Sequence, residues 1–284
     1  MAWRVIVSVS WRHVRLGKIT GSHPNAHFDR TRIGERVTTT ALPPTLLSWS
    51  GGKDAAYALF EMYGAGDDDR GSFDSASDPS VALLTQIDDG YDRSSMHGVR
   101  QSLYARQADA IGLPIEFLRL PTEPSNEEYE AAVSAAFESF RDRGVREIVY
   151  ADIHLEDVRA YRERLLEDTT LDGEDTGLDG QWPLWGRDTR AVVESVIDAG
   201  FEAILVAVDD DVLDASFAGR TLDERLLEDL PPGVDPAGEG GEFHTFVIDG
   251  PYFDDRVAVE IGETVTRSVG DGEFHYCDLL PGET

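Results

Sequence analysis

The sequence predicts an α/β fold, in which a parallel sheet is covered by helices on both faces and a smaller α+β region follows. Two observations indicate this. Short apolar segments alternate with longer amphipathic ones from residue 45 to residue 166, which is the pattern of strands joined by helical crossovers. An acidic, glycine-rich segment at residues 173–180 then interrupts the alternation, and the chain closes in short strand-like runs.

The individual elements follow from periodicity and from their end signals. Strands are predicted at residues 45–49, 81–87, 115–120 and 147–153, and helices at 54–63, 98–111, 126–143 and 156–166. Ser125 or Asn126 is the predicted cap of the third helix, and Gly144 ends it. After the break, the pattern predicts a helix at 189–199, a strand at 203–208 and an acidic helix at 222–230.

We predict three regions along the chain: a leader at residues 1–40, a nucleotide-binding domain at 41–170 and a substrate-binding domain at 181–284. The leader reverses the sign of the charge, because its basic residues outnumber Asp29 and Glu35. It is either a basic arm with a partner or sequence ahead of a true start near Val37. The abrupt shift in composition favours the second interpretation.

The charge of the whole chain restricts its partners. The 284 residues carry 55 acidic and 25 basic side chains, a formal net charge of −30, and only Lys18 and Lys53 are lysines. Such a field repels phosphate backbones, which argues against DNA binding, and it is typical of proteins from halophilic archaea. The single Cys277 excludes an internal disulfide, and no apolar run reaches the length of a membrane span. A cytoplasmic protein is the simplest expectation.

The segment LLSWSGGKDAAY, at residues 46–57, carries the strongest chemical signal. A glycine pair between a first strand and a first helix lets a phosphate approach the backbone at a helix N-terminus. It is not a Walker A loop, because Asp54 follows Lys53 where that motif requires Ser or Thr. The plain alternative is a tight strand–helix turn with an incidental lysine.

The SGGKD run resembles the pyrophosphate-binding loop of the PP-loop ATP pyrophosphatases, which have an adenine nucleotide alpha-hydrolase-like (HUP-like) fold. The resemblance extends to four further segments in the same order, from residue 46 to about 253. They are SSMHGVR (94–100), ADIHLED (151–157) with the arginines after it, PLW (183–185) and GEGGEFHTF (238–246). Together these segments resemble the diphthine–ammonia ligase family.

The resemblance implies an enzyme that uses ATP and Mg²⁺ to activate a carboxylate as its adenylate, releasing pyrophosphate, before ammonia forms the amide. The implied acceptor is diphthine on elongation factor 2. Implied catalytic residues are Lys53, Asp54, Glu239 and Glu242, with Asp54 also near Mg²⁺. Implied nucleotide-binding residues are Ser48, Ser50, Gly51, Gly52, Lys53, Asp54, His97 and Asp152. Implied substrate-binding residues are Glu156, Arg159, Tyr161, Arg162, Trp185, Glu242, His244 and Thr245.

Several of these residues also have ordinary structural explanations. His97 fits a buried histidine as well as a nucleotide contact. Glu156 opens a helix, where the dipole stabilises an acidic side chain anyway. Arg159 and Arg162 lie three apart on one side of that helix, and they could pair with nearby acids or bind an anionic substrate.

Two residues depart from the pattern of the family. Ala55 stands where the loop normally ends in Ser or Thr, so a hydroxyl contact to phosphate is expected to be missing. His244 stands where diphthine ligases usually have glutamate. Two alternatives therefore stay open: a sister subgroup acting on another carboxylate, and a nucleotide-binding module without turnover. The oligomeric state does not follow from the sequence.

Overall fold

The computed structural model describes residues 44–63, 81–122, 124–168, 178–269 and 272–283. The predicted leader at residues 1–40 lies outside the described residues, as does most of the predicted break at 173–180.

The first half of the chain alternates strands and helices as the sequence predicts up to residue 168, and it adds a short strand at Asp179–Gln181 that was not predicted and that overlaps the end of the predicted break. Its elements are β1 (Thr45–Ser48), α1 (Lys53–Tyr63), β2 (Val81–Asp88), α2 (Gln101–Ile111), β3 (Ile115–Leu120), α3 (Asn126–Asp142), β4 (Glu147–Val149), α4 (Glu156–Asp168) and β5 (Asp179–Gln181). The second half contains α5 (Thr189–Asp198), β6 (Glu202–Asp209), a 3₁₀ turn (Ala215–Phe217), α6 (Glu224–Asp229), β7 (Phe243–Asp249), β8 (Val259–Val269) and β9 (Gly272–Pro281).

Two sheets organise the described residues, and they confirm the predicted α/β class. The first sheet has the order β3-β2-β1-β4-β5, with every neighbouring pair parallel. The second is antiparallel, with the order β7-β6-β9-β8. Because β1 lies between β2 and β4, the chain leaves β1 in one direction and later returns on its other side.

The two apolar faces of β1 explain why helices cover both sides of the first sheet. Leu46 and Leu47 are both fully buried, but in different clusters. Leu46 packs with residues of α3 and α4, including Phe137 and Leu165. Leu47 belongs to a cluster that continues into the second sheet through residues such as Phe246. The two halves of the chain thus share one continuous core, while the domain division between residues 170 and 181 stays a prediction.

Three element bounds differ from the sequence prediction. The second helix begins at Gln101 instead of residue 98, because Gly98 has a φ of +65° and the N–H of Ser94 bonds the carbonyl of Val99 across a turn. Strand β4 ends at Val149, so Asp152 lies in the loop after the strand. The closing strands are also long, since β8 has 11 residues and β9 has 10.

The long closing hairpin was hard to predict because β8 is largely exposed on both faces, so its apolar residues do not alternate cleanly. Among the described residues, no helix combines the length and apolar character that a membrane span requires.

Candidate functional site

The glycine-rich loop at residues 49–52 connects the carboxyl end of β1 to α1, which begins at Lys53. The order of the strands in the sheet changes direction at this point, since β2 lies on one side of β1 and β4 lies on the other. Open parallel sheets bind ligands at such a point, and the unpaired N–H groups of a helix N-terminus favour an anion. The loop therefore lies where a phosphate site is expected.

Close contacts require both glycines of this loop. Gly51 has a φ of +70°, and a Cβ atom there would lie 2.7 Å from Cε1 of Tyr104 and 2.8 Å from Oε1 of Gln107. A Cβ atom at Gly52 would lie 3.0 Å from the backbone oxygen of Thr245. The glycines thus let α2 and β7 pack directly on the loop.

Gln107 is a residue of the site that the sequence reasoning missed. Its side chain is fully buried, and its Oε1 accepts a hydrogen bond from Nε1 of Trp49 at 2.7 Å. Its Nε2 donates to the backbone oxygens of Gly51 at 3.0 Å and Val247 at 2.6 Å. One amide therefore joins the loop, α2 and β7. The available signal was a polar residue inside the otherwise apolar buried stripe of α2.

Lys53 is buried, with 2% of its surface exposed. Its Nζ donates to Oδ2 of Asp54 at 2.8 Å and to the backbone oxygen of Ala237. The same nitrogen lies 5.4 Å from the centre of the Phe243 ring, within the range of a cation–π contact. Residues from both halves of the chain therefore hold this positive charge inside the site.

Asp54 has one satisfied and one unsatisfied carboxylate oxygen. Oδ2 pairs with Lys53, whereas Oδ1 is buried and has no hydrogen-bond partner among the described residues. Burial raises the pKa of Asp54, and the charge of Lys53 partly opposes this rise. An oxygen in this situation gains stability from an added cation or donor.

Two side chains of the GEGGEFHTF segment accept hydrogen bonds from backbone N–H groups in the first half of the chain. Thr245 Oγ1 accepts a hydrogen bond from the backbone N–H of Lys53 at 3.0 Å. Glu239 Oε1 accepts from the backbone N–H groups of Ile153 at 2.6 Å and His154 at 3.0 Å. Burial raises the pKa of Glu239, and the carboxylate of Asp54 adds to the rise. Both side chains thus fix backbone that surrounds the site.

Glu242 has different hydrogen-bond partners from Glu239. Its Oε1 accepts a long hydrogen bond, 3.3 Å, from the backbone N–H of Asp235. Its Oε2 is buried and has no hydrogen-bond partner among the described residues. Glu242 does not line the cavities around the loop.

His97 and His244 form a pair, with ring centres 4.7 Å apart. Burial lowers the pKa of His244 to about 4, with a further contribution from the charge of Lys53. Burial also lowers the pKa of His97, together with His244 and Lys53. Both rings are therefore neutral near pH 7. Nε2 of His244 is buried without a hydrogen-bond partner among the described residues.

The arginines of α4 are paired with acids and stacked on aromatic rings. Arg162 lies 3.0 Å from Oδ2 of Asp152. The same carboxylate oxygen accepts from Nε1 of Trp182 at 3.2 Å. Arg159 lies between two indoles, 4.6 Å from the ring centre of Trp182 and 4.7 Å from that of Trp185, and it pairs with a glutamate one turn later. The pairing expected as the structural alternative is therefore present.

Two adjoining cavities collect most of the predicted site residues. We call the first the inner chamber; it has a volume of about 150 Å³. Its lining includes Ser48, Ser50, Gly52, Lys53, Asp54, His97, Asp152, Arg162, Glu239, His244 and Thr245. We call the second the adjoining cleft; it has a volume of about 240 Å³ and reaches Tyr150 and Tyr161. The residues that line both cavities are Ser48, Ser50, His97, Arg162 and His244.

Five predicted site residues lie outside both cavities: Gly51, Glu156, Arg159, Trp185 and Glu242. Gly51 is the residue of the loop that packs against α2. Glu156 is exposed in the first turn of α4. No group of three or more His, Cys, Asp or Glu side chains in the described part of the chain is arranged to hold a metal ion.

The parallel sheet and the glycine-rich loop at its switch point define an α/β protein with a strand–loop–helix turn of the kind that can bind an anion. Comparison with known proteins then shows which proteins part of the chain resembles. Residues 188–276 match the family described as Diphthamide synthase C-terminal domain. The chain is also similar to curated proteins named diphthine–ammonia ligase. It is 36% identical over 96 residues to the protein of Danio rerio and 34% identical over 90 residues to that of Homo sapiens. These matches make part of the chain similar to diphthine–ammonia ligases.

These matches cover part of each sequence. The Danio rerio match covers 30% of this chain and 35% of the relative. The Homo sapiens match covers 30% of this chain and 34% of the relative. The Schizosaccharomyces pombe protein of the same name is 32% identical to this chain over 92 residues, which cover 31% of this chain and 15% of the relative. The chain thus spans about a third or less of the length of the curated relatives it matches.

Proposed function

We propose that the protein is an ATP-dependent amide ligase. In the first step, a carboxylate oxygen of the acceptor attacks the α-phosphorus of ATP, and the bond between the α-phosphorus and the bridging oxygen of pyrophosphate breaks. In the second step, the nitrogen of ammonia attacks the acyl carbon, the carbon–oxygen bond to AMP breaks and a proton is released. The products are the amide, AMP and pyrophosphate.

The observation that carries this proposal is the buried position of Lys53 in the inner chamber. Lys53 is the first residue of α1, and Asp54, the backbone oxygen of Ala237 and the Phe243 ring hold its ammonium group in place before any substrate binds. A positive charge fixed in a desolvated site stabilises negative charge that develops on a leaving pyrophosphate, without reorganisation during the reaction. A surface lysine would not have this effect.

The shape of the two cavities supports a position for the nucleotide. The inner chamber would hold the β- and γ-phosphates against the loop, and the adjoining cleft would hold the nucleoside. The α-phosphorus would then lie where the two cavities meet, beside Ser48, Ser50 and His244. A neutral imidazole at this point can donate its N–H to a phosphate oxygen or to the attacking carboxylate oxygen without adding charge.

Asp54 fits the Mg²⁺ ion that such a reaction uses. Its buried Oδ1 is a hard oxygen ligand with no protein partner among the described residues. Because no cluster of protein ligands surrounds it there, the ion would be held jointly by Asp54, phosphate oxygens and water. When bound, Mg²⁺ neutralises phosphate charge.

Diphthine on elongation factor 2 is the proposed acceptor, supported by the names of the matching relatives and by the family description that residues 188–276 match. The test is a reconstitution with purified protein, ATP, Mg²⁺, ammonium and elongation factor 2 that carries diphthine. We expect mass spectrometry to detect conversion of the carboxylate to the amide, with AMP and pyrophosphate formed in equal amounts. Formation of ADP and phosphate would contradict the proposed chemistry.

His244 supports a second candidate, a sister subgroup that amidates another carboxylate. An imidazole replaces the glutamate that would attract a trimethylammonium group, so the preferred acceptor could differ. Pyrophosphate release with a panel of carboxylates, and no release with diphthine, would favour this candidate. The non-catalytic alternative loses part of its support, because Ala55 is 1% exposed in the core and does not line the inner chamber.

A further inference from the structure

A third cavity, of about 700 Å³, lies outside the two that the proposed function uses. We call it the outer groove. One wall is the segment after β2 that contains Ser94, Ser95 and Met96, and the opposite wall is the β8–β9 hairpin. No sequence motif covered this hairpin, which comprises most of the last 30 residues.

The hairpin is fixed to the first half of the chain by specific contacts. Asp278 on β9 accepts two hydrogen bonds from Arg100, at 3.0 and 2.9 Å, and one from Arg93 at 2.8 Å. The ring of Tyr276 packs on Gly98, where a Cβ atom would lie 2.8 Å from it. Two residues of the SSMHGVR segment, Gly98 and Arg100, thus hold the wall of the groove in place.

The outer groove opens directly into the adjoining cleft. Gln86, Ser94, Ser95, Met96 and Tyr129 line both cavities. Ser95 is exposed at this boundary. A side chain that enters from the groove would therefore reach the junction beside His97 and His244, where we place the α-phosphorus. In the proposed function, the nucleotide occupies the other two cavities.

The lining of the groove suits a polypeptide. Glu263 and Arg267 on β8 are exposed, line the groove and form no ion pair with other described residues. Tyr91, also in the lining, is 70% exposed. Strand β8 is at the edge of its sheet. Unpaired charges of both signs, an exposed aromatic ring and an edge strand are features that recognise protein segments. The net charge of −30 disfavours a nucleic acid.

Building on the proposed function, we propose that the outer groove binds the polypeptide segment of the acceptor protein on either side of the reacting side chain. The segment lies along β8, and the side chain that carries the carboxylate passes over Ser95 and Met96 to the junction. The C-terminal hairpin thus selects a protein acceptor over a free small carboxylate.

The test uses two variants in the groove and one matched control. Ser268→Trp fills the groove and Arg267→Glu reverses a charge, whereas Thr264→Trp places the same bulk on an exposed position of β8 that does not line the groove. We expect both groove variants to raise KM for elongation factor 2 carrying diphthine by about tenfold or more, which is the effect of losing an interface contact. The Kd for ATP should stay within about twofold of the parent value in all three, because none of the three positions lines the inner chamber or the adjoining cleft.

A binding measurement separates this proposal from the proposed function. Titration calorimetry with the same acceptor, in the presence of AMP, reports binding whether or not an amide forms. If the parent protein binds the acceptor but forms no amide, the proposed reaction is wrong. The groove proposal is still tested in that case, because it predicts weaker binding of the acceptor by the two groove variants. Unchanged KM and Kd in both variants, or no binding by the parent, would overturn the groove proposal. A change of oligomeric mass with no change in acceptor binding would also overturn it, by assigning the groove to a second copy of the chain.

Discussion

The hydroxyl of Thr245 accepts a hydrogen bond from the backbone N–H of Lys53 at 3.0 Å, although 192 positions separate the two residues. Lys53 is the first residue of α1, and Gly52 before it has no side chain that could cap the helix. The first N–H groups of a helix need partners from outside the helix. A strand of the second sheet therefore supplies the cap that the loop itself lacks.

Thr245→Val tests this contact. Valine keeps the shape of threonine but leaves the buried N–H of Lys53 without an acceptor, which costs about 1–3 kcal/mol of stability. We expect this loss in urea unfolding at high salt, together with weaker ATP binding, because the loop loses one of its anchors. Thr245→Ser keeps the hydroxyl and should retain most of both properties. Equal losses in the two variants would assign the effect to packing.

Gln107→Leu tests the amide that joins the loop, α2 and β7. Leucine leaves Nε1 of Trp49 and the backbone oxygens of Gly51 and Val247 without this partner, and each buried unsatisfied group costs about 1–3 kcal/mol. Gln101→Leu is the matched control, since Gln101 lies in the same helix and its hydrogen bond is exposed. We expect its free energy of unfolding to change by about 0.5 kcal/mol or less. Similar midpoints of unfolding for the two variants would contradict the assigned role.

The loop of the site was predictable from the sequence because its signals are local. An apolar strand, a glycine pair and a helical periodicity that begins at Lys53 all lie within a few residues of one another. The same local signals predicted where the first four strands lie along the chain, but not their order in the sheet. They also predicted the capping of α3, where Ser125 and Glu128 bond each other's backbone N–H groups.

The contacts that complete the site were not predictable because they join residues that are distant in the sequence. The bond between Thr245 and Lys53 and the packing of Tyr276 on Gly98 depend on how the second sheet docks on the first. No periodicity within either segment encodes that docking. Gln107 was missed for a related reason, since a single polar residue in a helical stripe does not reveal its partners.

Lys53 is a further case in which local reasoning gave an incomplete answer. A loop lysine is expected to contribute little to stability, but this one is buried and paired with Asp54. Removing one partner of such a pair leaves the other as an uncompensated charge. Loss of activity in a Lys53 variant must therefore be separated from loss of folding.

A pair of Lys53 variants makes that separation. Lys53→Met with Asp54→Asn removes both charges together, so the fold is expected to survive, as judged by circular dichroism and urea unfolding. Pyrophosphate release should fall by about 100-fold or more, the scale of losing one preorganised transition-state contact. Lys53→Arg keeps the charge but should rescue poorly, because a planar guanidinium replaces a compact ammonium in a filled site. Parental turnover in the double variant would contradict the role of Lys53.

The paired imidazoles of His97 and His244 predict a loss of stability in acid. Burial lowers the pKa of His244 from an ordinary 6.5 to about 4, and it lowers the pKa of His97 in the same direction. Between about pH 6.5 and 4, the unfolded chain therefore binds protons that the folded protein does not. Because the free energy of unfolding rises with pH wherever the unfolded state binds more protons, stability should increase from pH 4 to 6.5. Above pH 6.5 this contribution is constant.

The variant His244→Gln separates the contribution of the histidine to the pH dependence of stability from the contribution of the carboxylates. Burial raises the pKa of Asp54 and Glu239, which acts in the opposite direction because the folded protein then binds the extra protons. These groups are present in both parent and variant, so the difference between the two pH profiles reports the histidine. Urea unfolding at constant high salt should give a shallower slope for the variant between pH 4 and 6.5. One proton accounts for at most about 1.4 kcal/mol per pH unit. Parallel profiles over this range would mean that His244 is protonated as readily in the folded site as in the unfolded chain.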